Sequence, residues 1–268
     1  MLAAVQVSVS RGARGAVNLT FQGTDSSDFI HIDKDAKTGR VVISGPTAAE
    51  LQGLPNNTTF QFNGHSVRSK LVFSKLGNLT FNLGAGEDSV RMTDVSAGNI
   101  KINDGVADNE NNTYIFQGFS GKMKLGDIQA NFNRGTASVV FGEADGDMEL
   151  GKVSVQGTSN THYISVSMIE YGSPGSMTVK GLLSIDLPEN ATGTTYLSML
   201  CDNQGLKLLN GIRQSGGAGN DDSQINGNVQ IQGNVDITTR GGNDTVSIEP
   251  GVVVNGIVTI NTGSGQLP

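Results

Sequence analysis

The sequence has one cysteine, no tryptophan and few charged residues. Cys201 alone cannot form an intramolecular disulfide, so no covalent cross-link within the chain holds it together, and the redox compartment stays open. Lys and Arg number 18 against 25 Asp and Glu, which gives a formal net charge of −7. This balance predicts no nucleic-acid partner, because affinity for a phosphate backbone comes from clustered cations. No apolar run is long enough to span a bilayer.

The first ten residues, MLAAVQVSVS, lack the features of a signal peptide. They contain no basic n-region, and Gln6 and Ser8 interrupt the apolar run that an h-region needs. We therefore expect that a signal peptide is absent from this chain, and that a secreted parent protein carries its signal upstream or has lost it. The same residues alternate between apolar and polar, as a β-strand does.

Glycine is abundant, with 37 residues, while charged residues make up only 16% of the chain. An average domain has about 25% charged residues, so this composition is typical of a β protein rich in turns. Hydrophobic residues reach 36% and recur at regular places. Since a disordered chain combines low hydrophobicity with high net charge, we expect this one to be folded throughout.

One short pattern recurs along the chain: glycine, any residue, apolar, any residue, apolar. Several of its intervals are 21 to 24 residues long. A second alternating strand follows about a dozen residues later, as in DSVRM at Asp88 and DTVSI at Asp244. The glycines that begin the pattern are Gly15, Gly39, Gly77, Gly98, Gly121, Gly151, Gly175, Gly233 and Gly256.

These repeats predict an all-β parallel β-helix, or β-solenoid, of roughly ten rungs with a period of about 21–24 residues, forming a single domain over residues 1–268. Two short strands and their turns cannot bury an apolar face alone and must stack on their neighbours. A pair of β-sandwiches is the alternative, because its strand spacing of about 8 to 12 residues also fits. We prefer the solenoid because the glycine pattern recurs once every two strands.

The turns GAGED at Gly84, GGAGNDD at Gly216 and RGGND at Arg240 resemble the glycine- and aspartate-rich repeat of the hemolysin-type (RTX) calcium-binding family. The overall layout is similar to the β-strand repeats of very large secreted bacterial proteins, especially those of planctomycete-like bacteria. Val90 and Val246 match the apolar position of the RTX repeat, but Ser223 does not. The motif also occurs once per long rung rather than every nine residues.

The resemblance implies a calcium site at the aspartates of these turns, which are Asp88, Asp221, Asp222 and Asp244. If rungs stack in register, Asp221 or Asp222 lies near Asp244 one period later, and a cation with oxygen ligands would relieve the repulsion between carboxylates. The alternative is structural. Asn and Asp are common in turns because they accept a left-handed backbone and bond to nearby backbone groups.

The leading functional hypothesis is a structural or adhesive module, secreted or displayed on a bacterial cell surface, that calcium stabilises and that has no catalytic activity. Its expected partners are other copies of itself or a cell-surface polysaccharide. The alternative is a carbohydrate-active β-helix enzyme, either a polysaccharide lyase or a glycoside hydrolase, which needs paired acids or a base beside a carboxylate. Glu143, Asp145 and Asp147 are the nearest approach to such a cluster.

A third hypothesis is ice binding, which uses regular threonine rows on a flat β-helix face. Thr20, Thr80, Thr178 and Thr259 take the same place in the glycine pattern. Lys101 and other polar residues interrupt that row, which weighs against this function.

Both ends of the predicted solenoid are expected to be open. The chain begins directly on an alternating strand, and after Gly256 the pattern stops at Leu267-Pro268 with its last rung half made. Open ends expose unpaired backbone groups. Because solenoids need covered ends to stay soluble, we expect this chain to be a segment of a longer protein, or to stack end to end with other copies, unless its own residues cap the terminal rungs.

Overall fold

The computed structural model describes residues 4–46, 58–64, 67–105, 111–143, 146–170 and 175–263. Asp145 and the chain after Gly263, which the sequence predictions used, lie outside these residues. Within the described residues the chain consists of strands and their connections, apart from one short 3₁₀ segment at Ala13–Gly15. The strands stack in parallel, so the predicted all-β solenoid is confirmed.

The strands are named in chain order. Those in the first half are β1 (Val5–Arg11), β2 (Val17–Gln22), β3 (Phe29–Lys34), β4 (Val41–Ser44), β5 (Phe60–Phe62), β6 (Val67–Arg68), β7 (Lys70–Phe73), β8 (Leu76–Asn82), β9 (Ser89–Thr93), β10 (Ile100–Asp104), β11 (Asn111–Gly118), β12 (Met123–Lys124) and β13 (Ile128–Phe132). Those in the second half are β14 (Gly135–Glu143), β15 (Met148–Leu150), β16 (Val153–Gly157), β17 (Thr161–Glu170), β18 (Met177–Val179), β19 (Leu183–Asp186), β20 (Thr194–Leu208), β21 (Ile212–Ser215), β22 (Asp222–Ile231), β23 (Val235–Thr238), β24 (Thr245–Ile248), β25 (Val253–Val254) and β26 (Val258–Asn261).

The solenoid has three faces, and each rung begins at a strand of the first face. Two long strands, β20 and β22, continue from the second face onto the third. The first face stacks β2, β8, β10, β13, β16, β19, β21, β23 and β26. The second face stacks β3, β9, β11, β14, β17, β20, β22 and β24. The third face stacks β12, β15, β18, β20, β22 and β25.

The number of rungs and the period both differ from the prediction. Over the described ranges, the first face has nine strands and six rungs have a strand on all three faces, so roughly ten rungs was too many. The period also varies more than expected, because partners one rung apart are separated by as little as Leu79 to Ile100 and as much as Leu19 to Leu79, a span that includes β4 to β7. The glycine pattern misled the count because Gly121 precedes a third-face strand rather than a new rung.

A ladder of Asn and Asp side chains explains the glycine that precedes first-face strands. Asn78 Oδ1 accepts the backbone N–H of Asn99, one rung later, at 2.9 Å. Asn99 Oδ1 in turn accepts the N–H of Asp127 at 3.0 Å. Gly98 lies against this ladder, and a methyl group there would lie 2.4 Å from Asn78 Oδ1. The Gly-Asn pair therefore lets backbone and acceptor approach closely at this corner.

Inward-facing residues stack on their equivalents in neighbouring rungs and form one continuous core. Phe21 and Phe81 stack with ring centroids 4.8 Å apart and planes 9° apart. Phe116 and Phe141 repeat the arrangement at 5.3 Å and 14°. These separations match the strand spacing of a sheet, so the parallel register sets the aromatic contacts.

The N-terminal end of the solenoid is covered by the chain's own strands. β1 pairs antiparallel with β2, and β5 continues that sheet. On the second face β4 pairs antiparallel with β3, and β7 pairs with β4. Val7, Phe60 and Ile43 of these strands are fully buried. The expected open N-terminal end is therefore corrected, because a reversal of strand direction caps the first rung.

The C-terminal end differs, because every residue of β26 is exposed. Val258 and Ile260 are 44% and 45% exposed, whereas their partners one rung earlier, Val235 and Ile237, are fully buried. Within the described residues, the last rung thus presents the apolar pattern of the core to solvent. The residues after Gly263, on which the prediction of a half-made rung depended, lie outside the description.

We predict that Gly98→Ala lowers the free energy of unfolding by about 1–3 kcal/mol, because the added methyl group overpacks the Gly-Asn corner. Gly121→Ala is the matched control, since a methyl group there meets no atom of the described residues within 4 Å. Urea denaturation of both variants measures the difference. Equal stability of the two variants would contradict the proposed close approach.

Candidate functional site

The four aspartates predicted to bind calcium lie at the corner between the first and second faces, but in two separate groups. Asp88 stacks with Asp28 of the first rung. Asp221 stacks with Asp244, as the spacing predicted. Asp222 begins β22 and follows Asp221 directly, so its side chain points to the opposite side of the strand. The structure therefore brings together Asp221 and Asp244, directs Asp222 away from them and leaves Asp88 at the other end of the stack.

In the N-terminal group the carboxylates act as acceptors between rungs. The backbone N–H of Asp28 donates to Asp88 Oδ1 at 2.8 Å, and the N–H of Asp88 donates to Asn112 Oδ1 at 2.7 Å. Asp28 also closes its own corner by accepting the N–H of Thr24 at 2.7 Å. Each side chain thus satisfies a backbone donor where the strands bend and the sheet ladder is interrupted.

The C-terminal group repeats this ladder, and its central acceptor is Asp221, which is 1% exposed. Thr195 donates its backbone N–H and its hydroxyl to Asp221 Oδ1, at 2.6 and 2.8 Å. The N–H of Asp221 donates to Asp244 Oδ1 at 2.9 Å. The Oδ2 atoms of Asp221 and Asp244 are buried and have no hydrogen-bond partner among the described residues. Gly216 makes room for this carboxylate, because a methyl group there would lie 1.8 Å from Asp221 Oδ2.

The charge of this corner depends on burial. Burial raises the pKa of Asp221 to about 6, and the neighbouring charge of Asp244 acts in the same direction. Hydrogen bonds from Thr195 and the guanidinium of Arg240 oppose the rise. Arg240 is held in place because its Nη1 donates to the carbonyl oxygens of Gly216 and Leu187, at 2.7 and 3.1 Å.

The corner offers oxygen ligands for a hard cation, although few of them converge. Asp221 Oδ2 and Asp244 Oδ2 lie on adjacent rungs, and neither has a hydrogen-bond partner in the part of the chain that the structure describes. Across the described residues, no group of three or more His, Cys, Asp or Glu side chains is arranged to hold a metal ion. Calcium takes about six to eight oxygen ligands, so backbone carbonyls and water would have to complete the shell. Calcium binding stays a prediction.

A buried polar network beside this corner was missed from the sequence. Ser223 Oγ donates to Gln214 Oε1 at 2.5 Å, and Gln214 Nε2 donates to Thr195 Oγ1 at 2.9 Å. Thr195 completes the connection to Asp221. Ser223 and Gln214 are almost fully buried, at 0% and 1% exposure. The sequence contained one signal of this network, because Ser223 is a polar residue at an apolar position of the repeat.

The outward side of the first face carries a regular polar surface. Asn103 Nδ2 donates to Asn82 Oδ1 at 2.7 Å, and Asn131 Nδ2 donates to Asn103 Oδ1 at 3.0 Å. Further along the stack, Arg213 forms a bidentate pair with Asp186 at 3.1 and 2.8 Å. Amide ladders of this kind fix the register of neighbouring strands while keeping polar groups at the surface.

The threonines considered for ice binding do not form one row. Thr20 and Thr80 are partners on the first face, and Thr259 pairs with Asp236 at the far end of that face. Thr178 lies on the third face, where its partners are Glu149 and Lys207. The four threonines share a place in the glycine pattern but not in the fold, because Gly175 precedes a third-face strand.

An open cleft of about 510 Å³ lies at the corner between the first and second faces of the middle rungs. Its lining combines a guanidinium, an imidazole, an amide and two hydroxyl groups, and includes no carboxylate. The lining residues are Arg134, Ser159, Asn160, His162 and Thr192. Of the acids considered for an enzyme, Asp147 lies elsewhere, where its Oδ1 accepts the Ser176 hydroxyl at 2.9 Å.

We predict that Asp88→Ala lowers the free energy of unfolding by about 1–3 kcal/mol, because it leaves the buried N–H of Asp28 without its acceptor. Asp88→Asn keeps an oxygen at the position of Oδ1, so its loss in the free energy of unfolding should be clearly smaller. Chemical denaturation of both variants provides the measurement. If the alanine and asparagine variants lose the same free energy of unfolding, the inter-rung hydrogen bond is not what makes Asp88 important for stability.

The raised pKa of Asp221 predicts a pH dependence of stability. The folded protein holds the proton of this carboxyl more tightly than the unfolded chain does, with a folded pKa of about 6 against an ordinary value of 3.8. Its stabilising contribution is therefore complete below pH 3.8 and is lost as the pH rises through 6. Other carboxyl groups also titrate in this range, so the comparison is made with Asp221→Asn.

The free energy of unfolding of the wild type, measured relative to that of Asp221→Asn, should fall as the pH rises from about 4 to 7. Denaturation curves at several pH values provide the data. A difference between wild type and Asp221→Asn that stays constant with pH would contradict the raised pKa.

Comparison with protein-family models, curated proteins and solved structures gave no match. In the part of the chain that the structure describes, no helix has the length and apolar character needed to cross a membrane.

Proposed function

We propose that this chain is a structural or adhesive β-solenoid module of a secreted or cell-surface bacterial protein, without catalytic activity of its own. The observation that carries the proposal is the use of the corner aspartates. Asp88, Asp221 and Asp244 each accept a backbone N–H from the preceding rung. These aspartates, whose carboxylates are the groups most suited to catalysis, thus hold adjacent rungs together. This is the behaviour expected of a scaffold.

The adhesive part of the proposal rests on the cleft of the middle rungs. Arg134 and His162 supply a guanidinium and an imidazole, while Asn160 and neighbouring hydroxyl groups can bond to sugar hydroxyls. A guanidinium pairs well with carboxylate or sulfate groups. We therefore propose an acidic cell-surface polysaccharide as the partner. The cleft is open, so it can accept a chain that passes through it.

Retention on immobilised acidic polysaccharide tests this role, together with assays for new reducing ends and unsaturated sugar products. We predict retention that weakens with salt, and no product of either kind. Arg134→Gln combined with His162→Gln should reduce retention, whereas Lys37→Gln, an exposed cation on the β3–β4 hairpin, should not. Thermal melts of the variants verify that they are folded.

The two parts of the proposal fail separately. Formation of reducing ends would support a glycoside hydrolase, and unsaturated products would support a lyase, so either would contradict the non-catalytic role. Retention that is unchanged in the double variant would contradict the cleft as the binding site. A wild type that binds none of the acidic polysaccharides would contradict the adhesive role, and only the structural role would remain.

We further propose that calcium stabilises the C-terminal corner, between Asp221 and Asp244. The partnerless Oδ2 atoms on adjacent rungs support this choice. At the N-terminal corner, both oxygens of Asp28 already accept bonds from Thr24, which disfavours a cation there. A bound cation would also favour the ionised form of Asp221 and so oppose the effect of burial.

Millimolar calcium should raise the melting temperature at pH 7, and a chelator should reverse the change, because an ion bound only by the folded state stabilises it. Asp244→Asn should lose most of the response, while Asp88→Asn should keep it. The same melts at about pH 4 should show a weaker response, since protonated carboxyl groups are poor ligands. A melting temperature that does not respond to calcium would contradict the proposal.

A further inference from the structure

A second cleft, of about 580 Å³, lies at the corner between the third and first faces, near the N-terminal end of the stack. Within the described residues, the third face begins at β12 whereas the first face begins at β2, so the rungs of β2 and β8 have no third-face strand beside them. The cleft occupies this place. The connection between β1 and β2 lines one side, residues 96–98 and Lys124 line the other, and the start of β8 lies between them.

The charge of this cleft is opposite to that of the whole chain. Its described lining includes three cations, Arg14, Lys75 and Lys124, and no acid. Arg14 and Lys75 are exposed. Lys124 shares Glu149 with Lys180, through ion pairs of 2.6 and 2.7 Å. Because the chain as a whole has a net charge of −7, this concave positive site stands out and favours an anionic ligand.

β13 connects this cleft, the Arg14 cleft, to the cleft of Arg134 and His162, the Arg134 cleft. Gly126, two residues before the strand, lines the Arg14 cleft. Arg134, two residues after the strand, lines the other. The step from Gly126 to Arg134 spans at most about 26 Å, because an extended chain rises about 3.3 Å per residue. The two clefts therefore lie at opposite edges of the first face, on the same rung.

The outward side of the first face between the two clefts is polar. Six outward-facing residues form it, on β13 and on the strands before and after it. They are Lys101 and Asn103 on β10, Gln129 and Asn131 on β13, and Ser154 and Gln156 on β16. Lys101 is the one charged residue among these six, and the amide and hydroxyl groups can bond to sugar hydroxyls. A polyanion on this surface meets a cation and neutral donors.

Acids confine such a path to the N-terminal half of the first face. Asp127, just before β13, directs its Oδ1 toward the following rung, where it accepts the backbone N–H of Lys152 at 2.8 Å. Further along the stack, Asp186 and Asp236 take outward positions on β19 and β23. A negatively charged polymer is therefore favoured on β10 and β13, beside Lys101, and disfavoured beyond β16.

We propose that a linear acidic polysaccharide crosses the first face over β10 and β13, with one part held in the Arg14 cleft and another in the Arg134 cleft. This inference rests on the proposed adhesive function, to which it adds a second cleft, a direction and a minimum length of the ligand. Carboxylate or sulfate groups of the polymer pair with Arg14 and Lys75 at one end and with Arg134 at the other. The two clefts act together, because the second contact forms within the complex.

The first experiment measures how affinity depends on ligand length. Its probes are size-fractionated fragments of polygalacturonate and of heparin, titrated into the full chain by calorimetry. Fragments longer than about 26 Å can reach both clefts, so they should bind at least about tenfold more tightly than shorter ones. Arg14→Gln combined with Lys75→Gln should remove this advantage. Lys37→Gln combined with Arg40→Gln removes the same charge from the β3–β4 hairpin and should keep it.

The second experiment tests the path between the clefts. Gln129→Glu places a carboxylate on this path, beside Lys101. It should weaken the binding of long fragments about tenfold and leave that of short fragments unchanged, because a short fragment stays within one cleft. Gln230→Glu, at an exposed position of the third face, is the matched control and should bind like the wild type. Thermal melts verify that the variants are folded.

The outcomes separate this inference from the adhesive role itself. A wild type that binds long and short fragments equally, or an Arg14 and Lys75 variant that keeps the advantage of long fragments, would overturn the crossing and leave the Arg134 cleft as the binding site. Unchanged binding of long fragments by Gln129→Glu would overturn the path. A wild type that binds no fragment of either polymer would overturn this inference together with the adhesive role.

Discussion

A solenoid has to satisfy the backbone at its corners as well as on its faces, and in this protein Asn and Asp side chains do so. On each face, parallel strands exchange hydrogen bonds in the usual ladder. At a corner the chain bends and that ladder is interrupted, while the corner is still packed against its neighbours. A side-chain oxygen one rung away takes the place of the missing carbonyl, as in the bond from Asp88 to Asn112.

This constraint determines much of the remaining structure. It needs glycine beside the acceptors, as at Gly98 and Gly216, because a methyl group would collide with the oxygen. It buries carboxyl groups and so raises the pKa of Asp221, with a polar network of Gln214 and Ser223 beside it. A corner built in this way resembles a binding site in residue type, and its first role is to hold adjacent rungs in register.

The repeat and its stacking could be predicted from the sequence because both are local. A glycine, an alternating strand and the spacing of one rung were sufficient to place Asp221 beside Asp244. The number of rungs could not be predicted, since Gly98 and Gly121 begin strands with the same pattern on different faces. The N-terminal cap could not be predicted either, because β1 alternates like any solenoid strand and its direction is set by tertiary pairing. The partners of Ser223 became visible only once Gln214 was placed in the core.

Hydrogen exchange of the native protein, resolved to single amides, tests the account most directly. The backbone N–H groups of Asp28, Asp88 and Asp221 donate to side chains one rung away, at corners and not within a strand ladder. If these bonds hold the rungs together, their protection factors will approach those of the neighbouring strand amides. Exchange as fast as in the exposed hairpin around Lys37 would contradict the claim that the corner ladders hold the stack.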